Sequence, residues 1–415
     1  MRVEHVELLQ FLLLLALIIT AAKAGGWVSL RAGQPAVLGE ILAGVVLGPS
    51  LLDVLGRPFA PQGLGPVVAH FANLGVIFLM FIAGVETDLG QMRRVGRAAA
   101  LAGTAGVFLP LLFGAAVALP FGAPPVQALF IGVVLTATSV SITVQTLIEL
   151  GRLESKEGVT LLAAAVIDDV IAIVVLSVFV ALTAGSGGGL GAVGLVVFRM
   201  AAFFVLALLG GRWIVARVVP RARRLPVSEG LLAAVIVLTL LLAWAAEAFG
   251  QVAAITGAYI AGALVAAVGV REEIEHRLRA FTYAVLVPVF FISIGLQTNA
   301  RLLAAGDIPF ALLIIIAAVL GKILGSGGGA LLGGFSRAEA LRVGVGMVSR
   351  GEVGLIIAGI GLQSGLLAER GFAVMVIMVL ATTLLTPLLL RAAFPARRPL
   401  TEAEALAQVM GDDGG

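Results

Sequence analysis

The chain has 415 residues, of which 60% are hydrophobic and 12% charged, and this composition excludes an ordinary soluble protein of that length. It contains no cysteine, which excludes disulfides and thiolate metal sites. The formal net charge of +3 does not indicate nucleic-acid binding, because the basic residues lie in short loops between apolar runs. His5, His70 and His276 lack the spacing of metal ligands, so we expect no cofactor.

Thirteen apolar runs predict an all-α polytopic membrane protein with thirteen transmembrane helices. The first run is expected to stay in place as a helix, since it lacks the pattern of a cleaved signal peptide. We place the spans at residues 6–24, 35–52, 65–85, 98–120, 125–149, 158–183, 193–215, 228–247, 252–269, 281–297, 307–333, 341–362 and 371–392.

The distribution of Lys and Arg predicts the orientation. With the N-terminus outside, 20 of the 27 basic residues fall on the cytoplasmic side and 5 on the outer side, while Lys322 and Arg350 lie within spans. A wrong span count would distribute the basic residues over both sides and remove this asymmetry. We therefore expect residues 1–395 to form one unit in a bacterial inner membrane, with an external N-terminus, and residues 396–415 to form a short cytoplasmic tail.

A short motif occurs twice, with opposite predicted directions across the membrane. Residues 84–88 (Gly-Val-Glu-Thr-Asp) end span 3, and residues 295–299 (Gly-Leu-Gln-Thr-Asn) end span 10, which is 211 residues and seven spans later. The same offset carries spans 4–6 onto spans 11–13. Because seven is odd, the two copies cross in opposite directions. This predicts an inverted-topology repeat, an architecture associated with alternating-access transporters.

Two adjacent carboxylates, Asp168 and Asp169, lie in the middle of span 6, where a charged side chain costs several kcal/mol. Neighbours in a helix point about 100° apart. One carboxylate can therefore pair with a cation of the protein while the other faces a water-filled cavity. Lys322, in the middle of span 11, is the candidate cation, because it cannot easily reach either surface. The alternatives are that the carboxylates are paired structural groups and that Lys322 lies near a misplaced helix end.

Spans 5 and 12 contain weak helix formers at their centres, at residues 136–143 and 344–354, and they are partners under the repeat. We interpret both as discontinuous helices whose broken ends offer carbonyls, amides and hydroxyls near an ion. The alternative for span 5 is a continuous helix with Ser and Thr bonded to its own backbone. Arg350 and Glu352 are expected to pair and cap the break. Glu40 is either a pathway group or a packed polar contact.

Several stretches, in order along nearly the whole chain, carry a family resemblance. They are residues 34–49, 81–87, 137–140, 166–170, 321–322, 345–347 and 350–355. On these stretches the chain resembles the monovalent cation:proton antiporter-2 family, and within it the bacterial Na+/H+ antiporters of the NapA type. It departs from many relatives at Val348 and Ser349, where they often have a proline before the arginine.

The resemblance implies a homodimer in which a dimer domain, spans 1–3 and 8–10, holds a mobile core domain, spans 4–6 and 11–13. It implies elevator-like exchange of Na+, Li+ or K+ for protons, with a role in pH homeostasis. Asp169 is implied as the carboxylate that binds both the cation and the proton, so any bound metal is Na+ at Asp169. Asp168 is implied to pair with Lys322, and Thr138 and Ser139 match the unwound stretch near the ion. We expect Arg350, Glu352 and Glu86 to have structural or gating roles.

Other classes fit the carboxylates less well. An intramembrane aspartyl protease needs them on two facing helices, a prenyltransferase needs Mg2+ motifs at the membrane surface, and a passive channel needs no titrating pair. A bile-acid-type carrier of similar fold would not need the Asp pair. The K+-efflux branch of the family typically has Gln-Asp where this chain has Asp168 and Asp169. We expect a Na+/H+ antiporter, not an enzyme, with an electrogenic cycle; K+/H+ exchange or another carrier of the same fold is the alternative.

Overall fold

The computed structural model describes residues 2–56, 64–87, 89–183, 189–224, 226–297, 301, 305–363 and 365–394. Over these residues the chain is helical and contains no β-strand, which confirms the predicted all-α class. The predicted tail, 396–415, and the ends of both repeat motifs, Asp88 and residues 298–299, lie outside the described residues.

The described part of the chain forms seventeen α-helices, numbered here in chain order. They are α1 (Arg2–Arg31), α2 (Ala36–Leu47), α3 (Leu64–Glu86), α4 (Leu89–Ala118), α5 (Pro125–Thr136), α6 (Val140–Glu149), α7 (Lys156–Thr183), α8 (Gly189–Val205), α9 (Gly211–Ala222), α10 (Gly230–Ala248), α11 (Ala254–Ala266), α12 (Arg271–Phe281), α13 (Val287–Leu296), α14 (Ile308–Leu332), α15 (Arg337–Gly346), α16 (Glu352–Gln363) and α17 (Glu369–Ala393). Single π-helical turns, Leu206–Gly210 and Thr282–Leu286, make α8–α9 and α12–α13 continuous.

Ten helical stretches among the described residues are long and apolar enough to cross a membrane. They are Leu8–Arg31, Gly65–Glu86, Arg94–Phe121, Pro125–Glu149, Lys156–Leu176, Val193–Ala222, Gly230–Ala248, Arg271–Leu296, Ile308–Leu332 and Glu369–Ala393. Three shorter apolar helices, Ala36–Leu47, Ala254–Ala266 and Val353–Leu362, lie within predicted spans 2, 9 and 12, and the last of them covers only the second half of span 12. The polytopic helical architecture is thus confirmed, and the count of thirteen spans stays a prediction.

Two helices extend beyond their predicted spans into segments that contain charged residues. Span 10 is predicted to begin at residue 281, whereas the helix begins at Arg271 and passes through the π turn without interruption. Span 1 is predicted to end at residue 24, whereas α1 continues to Arg31. Charged turns at the end of a spanning helix are compatible with a membrane, because long basic side chains extend to water.

The helices pack in two groups. The first group is α1–α3 with α10–α13, in which α2 contacts α1 and α13, and α11 contacts α3 and α10. The second group is α4–α7 with α14–α17, in which α4 contacts α5, α7 and α14, and α14 also contacts α15 and α17. The α8–α9 helix contacts α7 on one side and α10 and α11 on the other. Each group therefore combines helices from both halves of the chain.

Small residues allow close approach where α2 crosses α13. A Cβ added to Gly44 would overlap the backbone carbonyl of Ile292, and one added to Gly295 would overlap the backbone of Gly44 and Val45. Because the obstacles are backbone atoms, rotation of a side chain cannot relieve them. Glycine at both positions lets the two backbones touch, as in other membrane helix pairs.

We expect Gly44→Ala to destabilise the protein by about 1–3 kcal/mol, because the added methyl must push α2 and α13 apart. Thermal unfolding in mild detergent measures the loss. Gly96→Ala is the matched control: Gly96 lies on α4 with open space around it. There the same substitution is expected to be neutral or slightly stabilising. Equal melting temperatures for the two variants would contradict the predicted close contact.

Candidate functional site

The helices of predicted spans 5 and 12 are both interrupted at the weak helix formers at their centres. α5 ends at Thr136 and α6 begins at Val140, while α15 ends at Gly346 and α16 begins at Glu352. The two interruptions lie side by side. The Ser139 amide donates to the Ser349 carbonyl over 2.9 Å, and the Ser349 hydroxyl donates to the Ser139 carbonyl. These reciprocal bonds satisfy backbone groups that the broken helices leave without intrahelical partners.

Further hydroxyls hold the interruptions together. Thr143 on α6 donates to the Gly346 carbonyl over 2.6 Å, and its oxygen lies 3.2 Å from the Ser349 hydroxyl. Thr383 on α17 donates to the Arg350 carbonyl. Thr138 is buried and lies 3.4 Å from the Thr136 carbonyl, at the limit of a hydrogen bond. The crossing is therefore a buried, polar centre inside the second helix group.

Arg350 lies fully buried between the two interruptions, with no exposed surface. Its guanidinium donates to the Val348 carbonyl and, over 3.0 Å, to the Leu135 carbonyl in the last turn of α5. A positive charge at the C-terminal end of a helix is stabilised by the carbonyl dipoles there. Arg350 thus caps a break in the helix, and it does so by bonding backbone carbonyls. The side chain of Glu352 lies outside the described residues, so the predicted Arg350–Glu352 pair stays a prediction.

Asp168 on α7 and Lys322 on α14 are in direct contact. The Lys322 Nζ lies 2.5 Å from the Asp168 Oδ1, and neither side chain has exposed surface. Gly106 on α4 makes room for the neighbouring Ser326 hydroxyl, which a Cβ there would overlap; the same Cβ would lie 3.5 Å from the Asp168 Oδ1, an ordinary van der Waals contact. The other carboxylate oxygen, Oδ2, and the Ser326 hydroxyl have no hydrogen-bond partner among the described residues. The pair is buried, with unused hydrogen-bonding capacity beside it.

Asp169 is half-buried and lines a cavity that neither member of that pair lines. It lines a small cavity of about 10 Å³, roughly the space of one water molecule, together with Val140 at the start of α6 and Thr256 and Tyr259 on α11. The cavity therefore lies between the two helix groups and reaches the interruption in α5–α6. The expectation that the adjacent carboxylates face different surroundings agrees with this geometry.

Glu86 is placed away from these groups. It ends α3, is buried, and lies 3.6 Å from the Arg279 guanidinium on α12. It does not line the Asp169 cavity. Its neighbour Thr87 accepts a hydrogen bond from the Tyr259 hydroxyl over 3.1 Å, so the end of α3 is connected to the cavity through Thr87 and Tyr259.

Sequence reasoning missed two side chains at the cavity, Thr256 and Tyr259. A signal for Tyr259 was present: the chain has only two tyrosines, and this one lies within an apolar span. Polar residues of that kind inside a span generally have a specific partner. Within the described residues no cluster of three or more His, Asp or Glu side chains could hold a metal.

Comparison with known proteins matches residues 13–394 to the family described as sodium/hydrogen exchanger, transmembrane. The Na(+)/H(+)-K(+) antiporter GerN of Bacillus cereus is 37% identical over 388 residues, which cover 94% of this chain and 97% of that protein. The Na(+)/H(+) antiporter of Enterococcus hirae is 34% identical, covering 92% of this chain and 98% of that protein.

Among solved structures, the sodium proton antiporter MjNhaP1 from Methanocaldococcus jannaschii at pH 8 matches with a TM-score of 0.65 and 17% identity, covering 92% of this chain and 96% of that chain. An electron-microscopy map of the same antiporter matches with a TM-score of 0.70 and 16% identity, covering 92% and 95%. At such identities these structures show the fold alone. The relatives and the family match, which extend over most of the chain, confirm the family resemblance: the chain belongs to the sodium/hydrogen exchanger family.

Proposed function

We propose that this protein is a secondary antiporter that exchanges Na+ for protons across a bacterial cytoplasmic membrane. The observation that carries the proposal is Asp169, a carboxylate in the middle of an apolar helix that lines a cavity between two helix groups. The relatives' names as Na+/H+ antiporters support the choice of ions. A buried carboxylate in a membrane is costly unless it serves a cation or a proton.

The mechanism is competition for one carboxylate. Na+ and H+ each neutralise Asp169, so each displaces the other. The second helix group carries the site across the membrane only when Asp169 is neutralised, since a bare charge is costly to move through an apolar barrier. The ion-loaded and proton-loaded forms can then move, whereas the empty anionic form cannot. This difference couples the two fluxes.

Thr138 and Ser139 complete the site. Both are buried in the interruption between α5 and α6, next to Val140 on the cavity wall. Unwound backbone carbonyls are the groups that coordinate Na+ in transporters with broken helices. Arg350 caps the break by holding the Leu135 and Val348 carbonyls, which keeps the unwound segments in place. These residues position oxygens without adding negative charge.

The two helix groups are proposed to be a dimer domain, the first group, and a mobile core domain, the second. Their separate packing and the location of the Asp169 cavity between them support this division. An inverted repeat of thirteen spans is supported by the spacing of the breaks. Ser139 and Ser349, which bond across the crossing, are 210 residues apart, close to the 211-residue offset of the repeated motif. The proposed assembly is a homodimer.

Proteoliposomes test the function. With the purified protein, adding Na+ on one side is expected to move protons in the opposite direction, as measured by a pH-sensitive dye inside the vesicles. Li+ and K+ are tested in parallel, because one relative's name includes K+. A K+ response without a Na+ response would favour the K+/H+ alternative. No cation-dependent proton movement, with intact and folded protein in the vesicles, would reject the proposal.

The cycle is proposed to carry net charge, with two protons per Na+. Asp168 and Lys322 form a buried pair that opens when Asp168 accepts a proton, and Na+ binding then releases that proton as well as the one on Asp169. We expect Na+-driven proton flux to change with an imposed membrane potential. Flux insensitive to the potential would mean that only Asp169 exchanges and that the cycle is neutral.

The proposed orientation places the N-terminus outside and the C-terminus in the cytoplasm. A reporter active only in the cytoplasm is expected to give signal at the C-terminus and none at the N-terminus, because the basic residues favour that arrangement. Expression of both fusions is checked by immunoblot. Signal from both ends, or from neither, would require an even number of spans and would remove the support for an inverted repeat.

A further inference from the structure

A second polar cavity, of about 290 Å³, lies at the other end of α6 from the break. We call it the vestibule. Its polar lining comes from Lys23 on α1, Glu40 on α2, Gln145 and Glu149 on α6, and Tyr283 in the π turn before α13. Since α6 belongs to the second helix group and the others to the first, the vestibule is shared between the groups. α6 has ten residues, so the vestibule lies roughly 15 Å from the break along this helix.

Glu149 joins the two helix groups in the vestibule. Its carboxylate accepts hydrogen bonds from the backbone amides of Ala36, over 2.6 Å, and Val37, over 3.3 Å, which are the first two residues of α2. It also accepts a bond from the Gln145 side-chain amide over 2.9 Å. Burial makes a charge on Glu149 costly, and these donors offset part of that cost, because helix N-termini and amide hydrogens stabilise negative charge.

Gln145 supplies an unused oxygen. The side chain is only 7% exposed, and its Oε1 has no hydrogen-bond partner among the residues that the structure describes. The orientation of the amide follows from Glu149, because a carboxylate accepts only from the nitrogen. The Tyr283 hydroxyl is likewise without a partner in the described part of the chain. Buried acceptors normally have partners, so an oxygen of this kind beside a cavity is available to a ligand.

The charges of the vestibule do not cancel. Lys23 lies 3.6 Å from Glu40 and donates to the Tyr283 carbonyl over 2.9 Å. With both carboxylates ionised, Lys23 offsets the charge of one of them and the vestibule has a net charge of −1. One monovalent cation balances that charge, whereas a divalent cation would leave an excess of +1. In low-dielectric surroundings an uncompensated charge costs several kcal/mol, so neutralisation by one cation is favoured.

We propose that the vestibule binds one alkali cation, held by Glu40, Glu149 and the Gln145 Oε1, as a staging site separate from Asp169. In the proposed orientation the vestibule opens towards the cytoplasm, so it loads cations from that side. This inference rests on the proposed function for the identity of the ion, Na+. Binding itself is tested in a protein in which Asp169 has been removed, so the two proposals can fail separately.

The first experiment measures Na+-induced thermal stabilisation of the purified full-length protein in detergent, with choline chloride keeping ionic strength constant. Binding to the folded state raises the melting temperature with ligand concentration. Asp169→Asn is expected to retain a saturable Na+ shift, which comes from the vestibule. Adding Glu40→Gln or Gln145→Met is expected to lower the apparent Na+ affinity at least about tenfold, which corresponds to about 1.4 kcal/mol.

Glu272→Gln in the same Asp169→Asn background is the matched control, because Glu272 is an exposed carboxylate on α12 that does not line the vestibule. It is expected to keep the Na+ shift. If Glu40→Gln does not fold, Gln145→Met decides alone. No Na+ shift in Asp169→Asn, an unchanged shift in the vestibule variants, or stabilisation by Mg2+ but not Na+ would each overturn the vestibule site.

Transport gives an independent readout. In proteoliposomes of known orientation, Glu40→Gln is expected to raise the KM for Na+ on the cytoplasmic side several-fold, with little change for Na+ on the outer side. A purely structural role would alter both sides equally and would overturn the staging role. If the unsubstituted protein shows no exchange, the proposed function is rejected. The Na+-induced thermal shift in Asp169→Asn would still report on binding in the vestibule.

Discussion

Asp169→Asn is expected to reduce Na+-dependent proton flux at least about 100-fold while leaving the protein folded. The reduction follows because the asparagine cannot carry a proton, and a cation without a carboxylate inside the membrane loses several kcal/mol of stabilisation. The fold is expected to persist, because asparagine has nearly the same size and removes a charge from the middle of an apolar helix. Asp169 is half-buried beside a small cavity, so its surroundings need little rearrangement.

Flux is measured in proteoliposomes, and folding is checked by gel filtration and melting temperature in the same preparation. Glu247→Gln is the matched control, since Glu247 is an exposed carboxylate at the end of α10 and does not line the cavity. It is expected to transport normally. Normal Na+-dependent flux in Asp169→Asn would remove Asp169 from the mechanism.

Lys322→Met is expected to destabilise the protein by about 3–5 kcal/mol, because it leaves the Asp168 carboxylate buried without its partner. The contact is 2.5 Å long and neither side chain has exposed surface, so this is the most deeply buried ion pair described in the structure. Unfolding in mild detergent measures the effect. Methionine has a similar length and no charge, so lost packing contributes little.

The double variant Asp168→Asn/Lys322→Met separates the charge effect from packing. It removes both charges and is expected to recover most of the lost stability, as paired removal of buried ions generally does. The difference between the double variant and the sum of the single variants gives the coupling energy. Additive losses would show that the pair contributes no mutual stabilisation. The exposed pair Lys156–Glu339 is the control and should show weak coupling.

Much of the architecture was predictable because a membrane restricts what a chain can do. Long apolar runs without charge must be helices, since every backbone group has to be bonded within the segment. The interruptions were predictable because residues 136–143 and 344–354 combine small, β-branched and charged residues that weaken a helix at mid-span. Asp168, Asp169 and Lys322 stood out because charge is rare at that depth.

The contacts between distant parts of the chain were less predictable. Nothing local in the sequence indicates that Arg350 bonds the Leu135 carbonyl, because that contact depends on how two broken helices cross. Tyr259 reaches the Asp169 cavity only because Gly84 and Gly262 let α3 and α11 touch. Such close approaches depend on three-dimensional packing, whereas periodicity and charge report only on one helix at a time.

The most direct test of competition at Asp169 is proton release on Na+ binding by purified protein in weakly buffered solution. Both proteins in the comparison carry Glu40→Gln, which is expected to weaken Na+ binding in the vestibule. With Asp169 present, Na+ is expected to release protons in a saturable manner; with Asp169→Asn, that release is expected to disappear. Na+ binding without proton release in the protein that retains Asp169, or equal release in both proteins, would contradict competition at this carboxylate.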